Sequence, residues 1–206
     1  LRTIEKKGIN KEALGQAMGM SMGDAPLFGL VSRLTEQKGI DIIIRALKMF
    51  AGKHDARFIF LGSGDRKYEE QLLDLQSDYP DKIFLKNSFD ETFAHRIYAA
   101  SDFFLMPSRF EPCGLGQMIA MRYGSIPIVR KTGGLADTVR DMKEGFVFEK
   151  SIDLSLDKAM RQAYEIFKTK PKKLYALRRA GMEKNLDFKL SAKEYKALYQ
   201  KKLKGK

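Results

Sequence analysis

The chain has 206 residues, 44% of them hydrophobic and 31% charged, which is enough to bury a good core as one domain or two small ones. No segment approaches the roughly 18 apolar residues that a membrane span needs, and no signal peptide is recognisable at the start, so we expect no membrane partner. The single cysteine, Cys113, excludes an internal disulfide framework and fits a reducing cytoplasm, which is the expected location.

The formal net charge of +12 belongs almost entirely to the C-terminal tail. Residues 168–206 carry 14 Lys and Arg against 3 Asp and Glu, whereas residues 1–167 carry 24 against 23. No nucleic-acid motif or interleaved aromatic pattern accompanies these lysines, so nucleic-acid binding is the less favoured explanation of the charge. A solvated helical face, or a surface for a partner domain, is favoured instead.

In chain order, the first predicted element is a helix over residues 10–18, with Asn10 as its candidate N-cap and Gly19 at its end, followed by a linker to Ala25. Short apolar runs then alternate with amphipathic helical segments. The predicted strands cover residues 27–31, 57–61, 83–86, 103–106, 126–129 and 146–148.

The helices predicted between these strands cover residues 40–50, a segment from Asp65 through about Tyr79, a segment that starts within 88–91, and a segment from Gly114 to near Gly124. From residue 155 onward the pattern is helical throughout. We expect one helix to end near Phe167, a second to carry Pro171 in its first turn, and a third to be capped by Ser191.

Strands that alternate with helices at this spacing predict an α/β, Rossmann-like fold. We expect a parallel sheet of about six strands, helices on both faces, right-handed crossovers and a helical C-terminal tail. Residues 1–25 are expected to form an N-terminal helix and linker, and residues 26–150 the Rossmann-like core. Residues 151–206 are expected to form a helical extension that packs on the core or on a domain missing from this chain.

Polar and Gly-rich turns follow the first, second, fourth and fifth predicted strands. They therefore share the carboxyl edge of the sheet, where ligands bind at a switch in strand order. Gly114, Leu115 and Gly116 would open a helix whose unpaired N–H groups suit a phosphate, and Gly133 and Gly134 repeat the pattern after the next strand. The alternative is that these glycines only permit tight strand-to-helix turns.

Two cations, Arg33 and Lys38, follow the first strand, and Gly39 beside them allows a close approach of the chain. A guanidinium and an ammonium at this spacing are able to hold a diphosphate. Two cations in a loop, taken alone, are more often solvated surface. The Gly62-Ser63-Gly64 turn is a weaker signal, because Lys67 stands where the dinucleotide fingerprint needs a further glycine.

Three motifs occur together: SRLTEQKG at 32–39, SRFEPCGLGQ at 108–117 and TGGLADTV at 132–139. In this order they resemble the C-terminal half of bacterial, archaeal and plant glycogen or starch synthases, from about residue 25 to 148 and more weakly in the tail. The resemblance implies two Rossmann-like domains of the GT-B type with the active site in the cleft between them. It also implies transfer of glucose from ADP-glucose, or UDP-glucose, to the non-reducing end of an α-1,4-glucan, with retention and without a cofactor or an obligatory metal.

The resemblance also assigns roles by position. Arg33 and Lys38 resemble the pair that holds the donor diphosphate and stabilises charge on the departing nucleotide, and Glu111 resembles the acidic residue that contacts the donor glucose, so these three form the expected catalytic set. A surface Glu beside Pro112 would look the same in sequence. Phe89 stands where such synthases often place an aromatic ring against the base. Two turns resemble the phosphate- and sugar-binding turns of the family: Cys113, Gly114, Leu115 and Gly116 form the first, and Thr132, Gly133 and Gly134 form the second.

Several positions depart from the family pattern. Ile119 stands where many related transferases place a second Glu that binds the ribose, so ribose recognition is left unassigned. Gly116 replaces a frequent Thr, and the Trp often found early in the terminal segment is missing from this Trp-free chain. The acceptor domain of the family has no counterpart here, so we expect a donor-binding domain that turns over little by itself. The start at Leu1, without Met, hints at an excised fragment or a processed product, and the choice between a fragment and a natural module stays open.

Two rival functions stay open: a stand-alone nucleotide-sugar-binding or regulatory module without catalysis, and a nucleic-acid-binding domain that uses the basic tail. The choice between ADP-glucose and UDP-glucose, the acceptor length and the oligomeric state are also open. His95 lacks Cys or His partners at metal spacing, so we expect a packing or surface residue. Cys113 at a helix start could act as a nucleophile, but no His is placed by sequence to activate it, so we expect a small pocket-lining residue.

Overall fold

The computed structural model describes residues 4–204. Within them the strands are β1 Leu27–Val31, β2 Arg57–Leu61, β3 Ile83–Lys86, β4 Phe103–Met106, β5 Ile126–Arg130 and β6 Phe146–Phe148. They form one parallel sheet in the order β3-β2-β1-β4-β5-β6. The predicted Rossmann-like α/β fold is thereby confirmed, and the strand order reverses between β1 and β4.

Helices connect and cover the strands. Between residues 4 and 204 they are α1 Lys7–Met18, α2 Ile40–Phe50, α3 Arg66–Asp78, α4 Glu91–Ala100, α5 Gly116–Arg122, α6 Gly133–Thr138, α7 Asp153–Thr169, α8 Pro171–Glu183 and α9 Phe188–Lys204. Pro171 is the first residue of α8, as predicted, where its missing N–H has no intrahelical partner to lose. Gly19 ends α1 in the left-handed conformation, with φ 66°, as its position after the helix predicted.

Two predicted helix starts in the outer segments are wrong. A short 3₁₀ turn at Ile4–Lys6 runs directly into α1, so Asn10 lies inside that helix and caps nothing. α9 begins at Phe188, and Ser191 lies inside it. The Oδ1 atom of Asp187 accepts the N–H of Lys189, so the local cap is the aspartate rather than the serine.

The sheet buries apolar side chains on both faces, because successive residues of a strand point to opposite sides. On one face the ring of Phe28 stacks on Phe58 at 5.1 Å and on Phe103 at 5.0 Å, in the layer covered by α2 and α7. On the other face Leu27 and Phe104 pack among residues of α1 and α4. Each such burial stabilises the fold by roughly 1.5–3 kcal/mol, and the continuous apolar strands of the sequence follow from this two-sided cover.

A charged cluster holds α1 at the amino edge of the sheet. Asp102, directly before β4, accepts hydrogen bonds from the N–H of Leu27 at 2.9 Å and from Lys11 Nζ at 3.0 Å, and it pairs with Arg178 of α8. Nearby, Lys7 Nζ donates to the carbonyl of Ala99 at 2.7 Å and to two further carbonyls. Burial lowers the pKa of Lys7 from 10.5 to about 7.

The C-terminal helices differ in how they pack. α7 lies against α2 and β6, and α8 lies against α5 and α7. By contrast, all the described side chains of α9 are exposed, including Tyr195, Leu198 and Tyr199 along one side of the helix. A helix long and apolar enough to cross a bilayer does not occur between residues 4 and 204.

Candidate functional site

A cavity of about 300 Å³ opens at the carboxyl ends of β1 and β4, where the strand order reverses. This is the place at which open α/β sheets bind ligands. The cavity is lined by the three predicted catalytic residues and by three of the four residues of the first predicted turn: Arg33, Lys38, Glu111, Gly114, Leu115 and Gly116.

Gly39 brings the two loops of the site together. It has φ 73°, and a Cβ atom there would lie 2.3 Å from the carbonyl oxygen of Pro107, so the predicted close approach of the chain is confirmed. The loops are also joined by backbone: the N–H of Arg109 donates to the carbonyl of Gln37 at 2.8 Å, and Gln37 Nε2 donates to the carbonyl of Phe110 at 3.1 Å. The Glu36–Lys38 turn is therefore fixed against the loop that carries Glu111.

Lys38 and Glu111 form an ion pair across this junction. Lys38 Nζ lies 2.5 Å from Glu111 Oε2, and the hydroxyl of Ser108 donates to the same oxygen at 3.3 Å. Both side chains are largely buried, with exposed fractions of 20% and 9%. Glu111 Oε1 makes no hydrogen bond with any residue of the described part of the chain, so one carboxylate oxygen is left for another partner. The sequence placed both residues at the site but gave no sign that they pair.

Arg33 is the exposed cation of the site. Its guanidinium makes no hydrogen bond or ion pair with any side chain or backbone group that the structure describes, although the residue lines the cavity. It also lines a neighbouring cavity of about 210 Å³, which shares Val31 and Ser32 with the first. Arg33 thus stands between two adjoining spaces and can turn its donors to either.

The turn between β4 and α5 presents backbone donors to the first cavity. Its glycine, Gly114, has φ 72°, and the N–H groups of Gly114, Leu115 and Gly116 have no acceptor among the described residues. The prediction of a helix start at Gly114 is wrong: α5 begins at Gly116 and is seven residues long. Because so short a helix has a small macrodipole, the donors of this site are the amides of the turn itself.

The second Gly-rich turn packs against the backbone of the loop that carries Glu111 and Cys113. The N–H of Gly134 donates to the carbonyl of Glu111 at 3.0 Å, and a Cβ atom on Gly133 would lie 2.2 Å from that same oxygen. A Cβ atom on Gly134 would lie 2.2 Å from the carbonyl oxygen of Cys113. Among the described residues, Thr132, Gly133 and Gly134 are not part of the cavity lining. Their contact with a ligand stays a prediction, whereas their support of the Glu111 loop is visible.

Phe89 lies at the mouth of the second cavity and is 92% exposed. The same cavity is lined by Gly62 and Ser63, so the weaker of the sequence signals also contributes to this edge. The two cavities adjoin at Val31, Ser32 and Arg33, with Glu111 in the lining of the first and Phe89 in that of the second.

Three further residues have less direct positions. Ile119 lines the first cavity with an apolar side chain, so it offers no hydrogen bond to a ribose. Cys113 is exposed beside the turn, and the Nδ1 atom of His95 lies 2.9 Å from the hydroxyl of Tyr123 on the partly exposed surface of α4. In the described range, 4–204, no group of three or more His, Cys, Asp or Glu could hold a metal ion.

Sequence reasoning missed two residues that hold the site in place. Arg130, at the end of β5, donates through Nε to the carbonyl of Ser108 at 2.8 Å and through Nη2 to the carbonyl of Arg109. Gln117, completely buried in the first turn of α5, donates to the carbonyl of Gly114 at 2.8 Å. Both act on backbone carbonyls, and no residue pattern in the sequence reveals such a contact.

Comparisons with known proteins identify the family of the chain. The family model described as "Glycosyl transferases group 1" matches residues 21–176. A glycogen synthase of Thermosipho africanus is 43% identical over 210 residues, which cover 98% of this chain and 43% of the relative. A glycogen synthase of Trichodesmium erythraeum is 43% identical over 207 residues, which cover 97% of this chain and 45% of the relative. The chain therefore spans less than half the length of these curated relatives.

Two solved structures are similar to this chain. The catalytic domain of starch synthase IV from Arabidopsis thaliana, bound to ADP and acarbose, superposes with a TM-score of 0.88 at 36% identity, covering 96% of this chain and 43% of that one. A sucrose-phosphate synthase from Thermosynechococcus elongatus superposes with a TM-score of 0.72 at 21% identity, covering 94% of this chain and 49% of that one. The second likeness concerns the fold alone.

Proposed function

Because this chain belongs to the family of group 1 glycosyl transferases, we propose that it is the donor-binding half of a hexosyltransferase of the glycogen or starch synthase type. In this proposal the whole enzyme transfers glucose from ADP-glucose, or UDP-glucose, to the non-reducing end of an α-1,4-glucan with retention. The single observation that carries it is the cavity at the switch between β1 and β4, which unites Arg33, Lys38, Glu111 and the turn at 114–116.

The diphosphate of the donor occupies the part of the cavity between the two cations and the turn. When the bond between the sugar's anomeric carbon and the phosphate oxygen breaks, negative charge develops on the departing nucleotide diphosphate. Lys38 and Arg33 oppose that charge, and the unpaired N–H groups of Gly114 and Leu115 donate to it. Lys38 is held by its ion pair with Glu111, and the two N–H groups belong to the backbone of the turn, so these donors move little during the reaction. Arg33 lies exposed at the edge of the cavity and turns towards the phosphates.

The donor glucose lies beside Glu111. The Oε2 atom is held by Lys38 and Ser108, which leaves Oε1 to accept a hydrogen bond from a sugar hydroxyl. The negative charge of the carboxylate also favours the positive charge that develops on the sugar ring during transfer. Lys38 thus has two tasks, since it orients Glu111 in the free protein and faces the phosphates in the complex.

The nucleoside occupies the second cavity. Phe89 offers an exposed ring for stacking on the base. Adenine presents a larger ring surface for such stacking than uracil does. The ADP bound to the Arabidopsis relative supports ADP-glucose as the donor. We propose that the reaction needs no cofactor or metal, because the two cations and the amides of the turn meet the phosphate charge. We also propose that the protein works in the cytoplasm.

The acceptor glucan binds mainly to a domain that this chain does not contain. The proposal is supported by the share of the relatives that the chain covers, 43% and 45%. The exposed apolar side of α9, with Leu198 and Tyr199, then packs on that second domain, and the lysines of the tail flank the contact. By itself the chain binds donor and turns over little.

Calorimetry with ADP, ADP-glucose and UDP-glucose tests the proposal. We expect ADP and ADP-glucose to bind, and Arg33→Ala and Lys38→Ala each to weaken binding by roughly tenfold or more, since charged hydrogen bonds to phosphate contribute about 1.5–3 kcal/mol. Arg179→Ala is the matched control, because it removes the same charge from α8, away from both cavities. Equal affinity in all four proteins would contradict the diphosphate site.

The rival functions predict other results. A stand-alone nucleotide-sugar-binding module would bind the donor with the same affinity as the proposed half-enzyme. Adding the N-terminal half of a glycogen synthase to such a module would produce no glucosyl transfer. A nucleic-acid-binding domain would bind RNA or DNA tightly, with a strong dependence on salt, and would ignore nucleotide sugars.

A further inference from the structure

Gln117 lies completely buried beneath the turn that faces the cavity. Its Nε2 atom is 2.8 Å from the carbonyl oxygen of Gly114, 3.2 Å from that of Cys113 and 3.0 Å from the hydroxyl oxygen of Thr138. The orientation of the amide follows from chemistry, because two carbonyl oxygens can only accept and so must face the NH₂ group. Two successive peptide groups of the turn are therefore held by one side chain.

The direction of those carbonyls determines where the amides point. In a planar trans peptide the C=O and the next N–H point in opposite directions. Cys113 C=O shares its peptide with the N–H of Gly114, and Gly114 C=O shares its peptide with the N–H of Leu115. Because Gln117 draws both carbonyls down into the protein, both N–H groups face the opposite side, where Gly114 and Leu115 line the cavity.

Glycine by itself would not fix this arrangement. Gly114 adopts φ 72°, and a residue without Cβ can rotate its flanking peptides at low cost. Gln117 packs directly on it, because a Cβ atom on Gly114 would lie 2.7 Å from Gln117 Oε1. That Oε1 atom has no hydrogen-bond partner among the groups that the structure describes. The side chain thus leaves its own acceptor unpaired while its donors hold the turn.

We propose that Gln117 is a positioning residue for the donor diphosphate: its buried amide holds the carbonyls of Cys113 and Gly114 so that the N–H groups of Gly114 and Leu115 face the phosphates. The inference deepens the proposed function and rests on it. Gln117 does not touch the ligand, and it acts through the orientation of the turn.

The test compares ADP with adenosine, which lacks the phosphates, on the 206-residue chain. Gln117→Met keeps the size of the side chain and adds no charge, but it cannot donate to the two carbonyls. We expect ADP affinity to fall roughly tenfold or more while adenosine affinity stays within about twofold. The matched control is Thr138→Val, which removes the third partner of Gln117 but leaves both carbonyl bonds, so its ADP affinity stays near that of the wild type.

A second variant, Gln117→Glu, serves even where the methionine variant fails to fold. A protonated carboxyl can donate to one carbonyl, whereas a carboxylate repels both. Burial beside carbonyl oxygens raises the pKa of the introduced carboxyl above its usual range. The ratio of variant to wild-type ADP affinity should therefore fall as pH rises through that pKa. A ratio that does not change with pH would contradict the positioning role.

The outcomes separate the two claims. The donor site stands if the wild type binds ADP and Lys38→Ala lowers the affinity for ADP. The positioning role is then overturned if Gln117→Met binds ADP like the wild type, or if its affinity for adenosine falls as much as its affinity for ADP. An equal loss in Thr138→Val also overturns it. If the wild type binds no ADP, the donor site itself fails.

Discussion

Lys38 and Glu111 are 73 residues apart in sequence, yet Nζ of one lies 2.5 Å from Oε2 of the other at the point where the strand order reverses. An ammonium paired with a carboxylate is neutral to a distant anion. A phosphate that approaches Lys38 therefore also meets the negative charge of Glu111. The contribution of each residue to phosphate affinity thus depends on whether the other is present.

This pairing predicts a non-additive effect on ADP binding. Lys38→Ala leaves the carboxylate of Glu111 unpaired beside the phosphates, so we expect ADP affinity to fall by roughly 10- to 100-fold. The double variant Lys38→Ala, Glu111→Gln removes the repulsion as well and should recover part of that loss. Calorimetry on the four proteins of the cycle measures the coupling. A double variant that binds no better than Lys38→Ala would show that Glu111 does not oppose the phosphates.

Gly39 predicts a large loss of stability on substitution. Gly39→Ala places a Cβ atom at φ 73° and 2.3 Å from the carbonyl oxygen of Pro107, which should cost about 2–4 kcal/mol of unfolding free energy in a urea titration. Gly19→Ala is the control, because Gly19 has φ 66° but nothing within 4 Å of the new atom. It should lose only about 1 kcal/mol. Equal losses would mean that the approach to Pro107 is unimportant.

We expect substitution of Asp102 to lower the free energy of unfolding without changing the affinity for ADP. Its carboxylate is 4% exposed and joins Lys11, Arg178 and the N–H of Leu27 at the amino edge. Asp102→Asn leaves buried cations without their partner, so unfolding free energy should fall by roughly 3–5 kcal/mol. ADP affinity, measured below the unfolding transition, should stay within about twofold, because the cavity lies at the opposite edge. The exposed Asp74 offers the control substitution Asp74→Asn, with no expected change.

Lys7 predicts a dependence of stability on pH. Burial lowers its pKa from 10.5 in the unfolded chain to about 7 in the folded one. Between these values the unfolded state binds more protons, so unfolding free energy rises with pH, by up to about 1.4 kcal/mol per unit. The stability of the wild type relative to Lys7→Met should therefore increase from pH 7 to pH 10. A difference between the wild type and Lys7→Met that stays constant over that range would contradict the lowered pKa of Lys7.

The fold and the location of the site could be predicted from the sequence because both depend on local patterns. Apolar runs that are buried on two faces predict the strands, and turns after those runs must share one edge of a parallel sheet. Helix starts were harder, since Asn10 and Ser191 have suitable side chains but lie inside helices whose ends are set by neighbouring turns. A cap preference of about 1 kcal/mol is easily overridden by packing.

What the sequence could not supply is the pairing between distant groups. It identified Lys38 and Glu111 separately, and their ion pair depends on how two loops meet. It assigned no role to Arg130 or Gln117, because both hold backbone carbonyls, which carry no signature in the side-chain pattern. Three-dimensional contacts of this kind decide which of several plausible site residues work together.

The central claim is that the carboxyl-edge cavity binds the diphosphate of a nucleotide sugar. The most direct measurement is a titration of the isotope-labelled chain with ADP, followed by the amide chemical shifts. If the cavity binds the diphosphate, the shifts change saturably and most at Gly114, Leu115 and Gly116, together with a change at the guanidinium of Arg33. An absence of saturable change, or changes confined to α9 and the amino edge around Asp102, would contradict it.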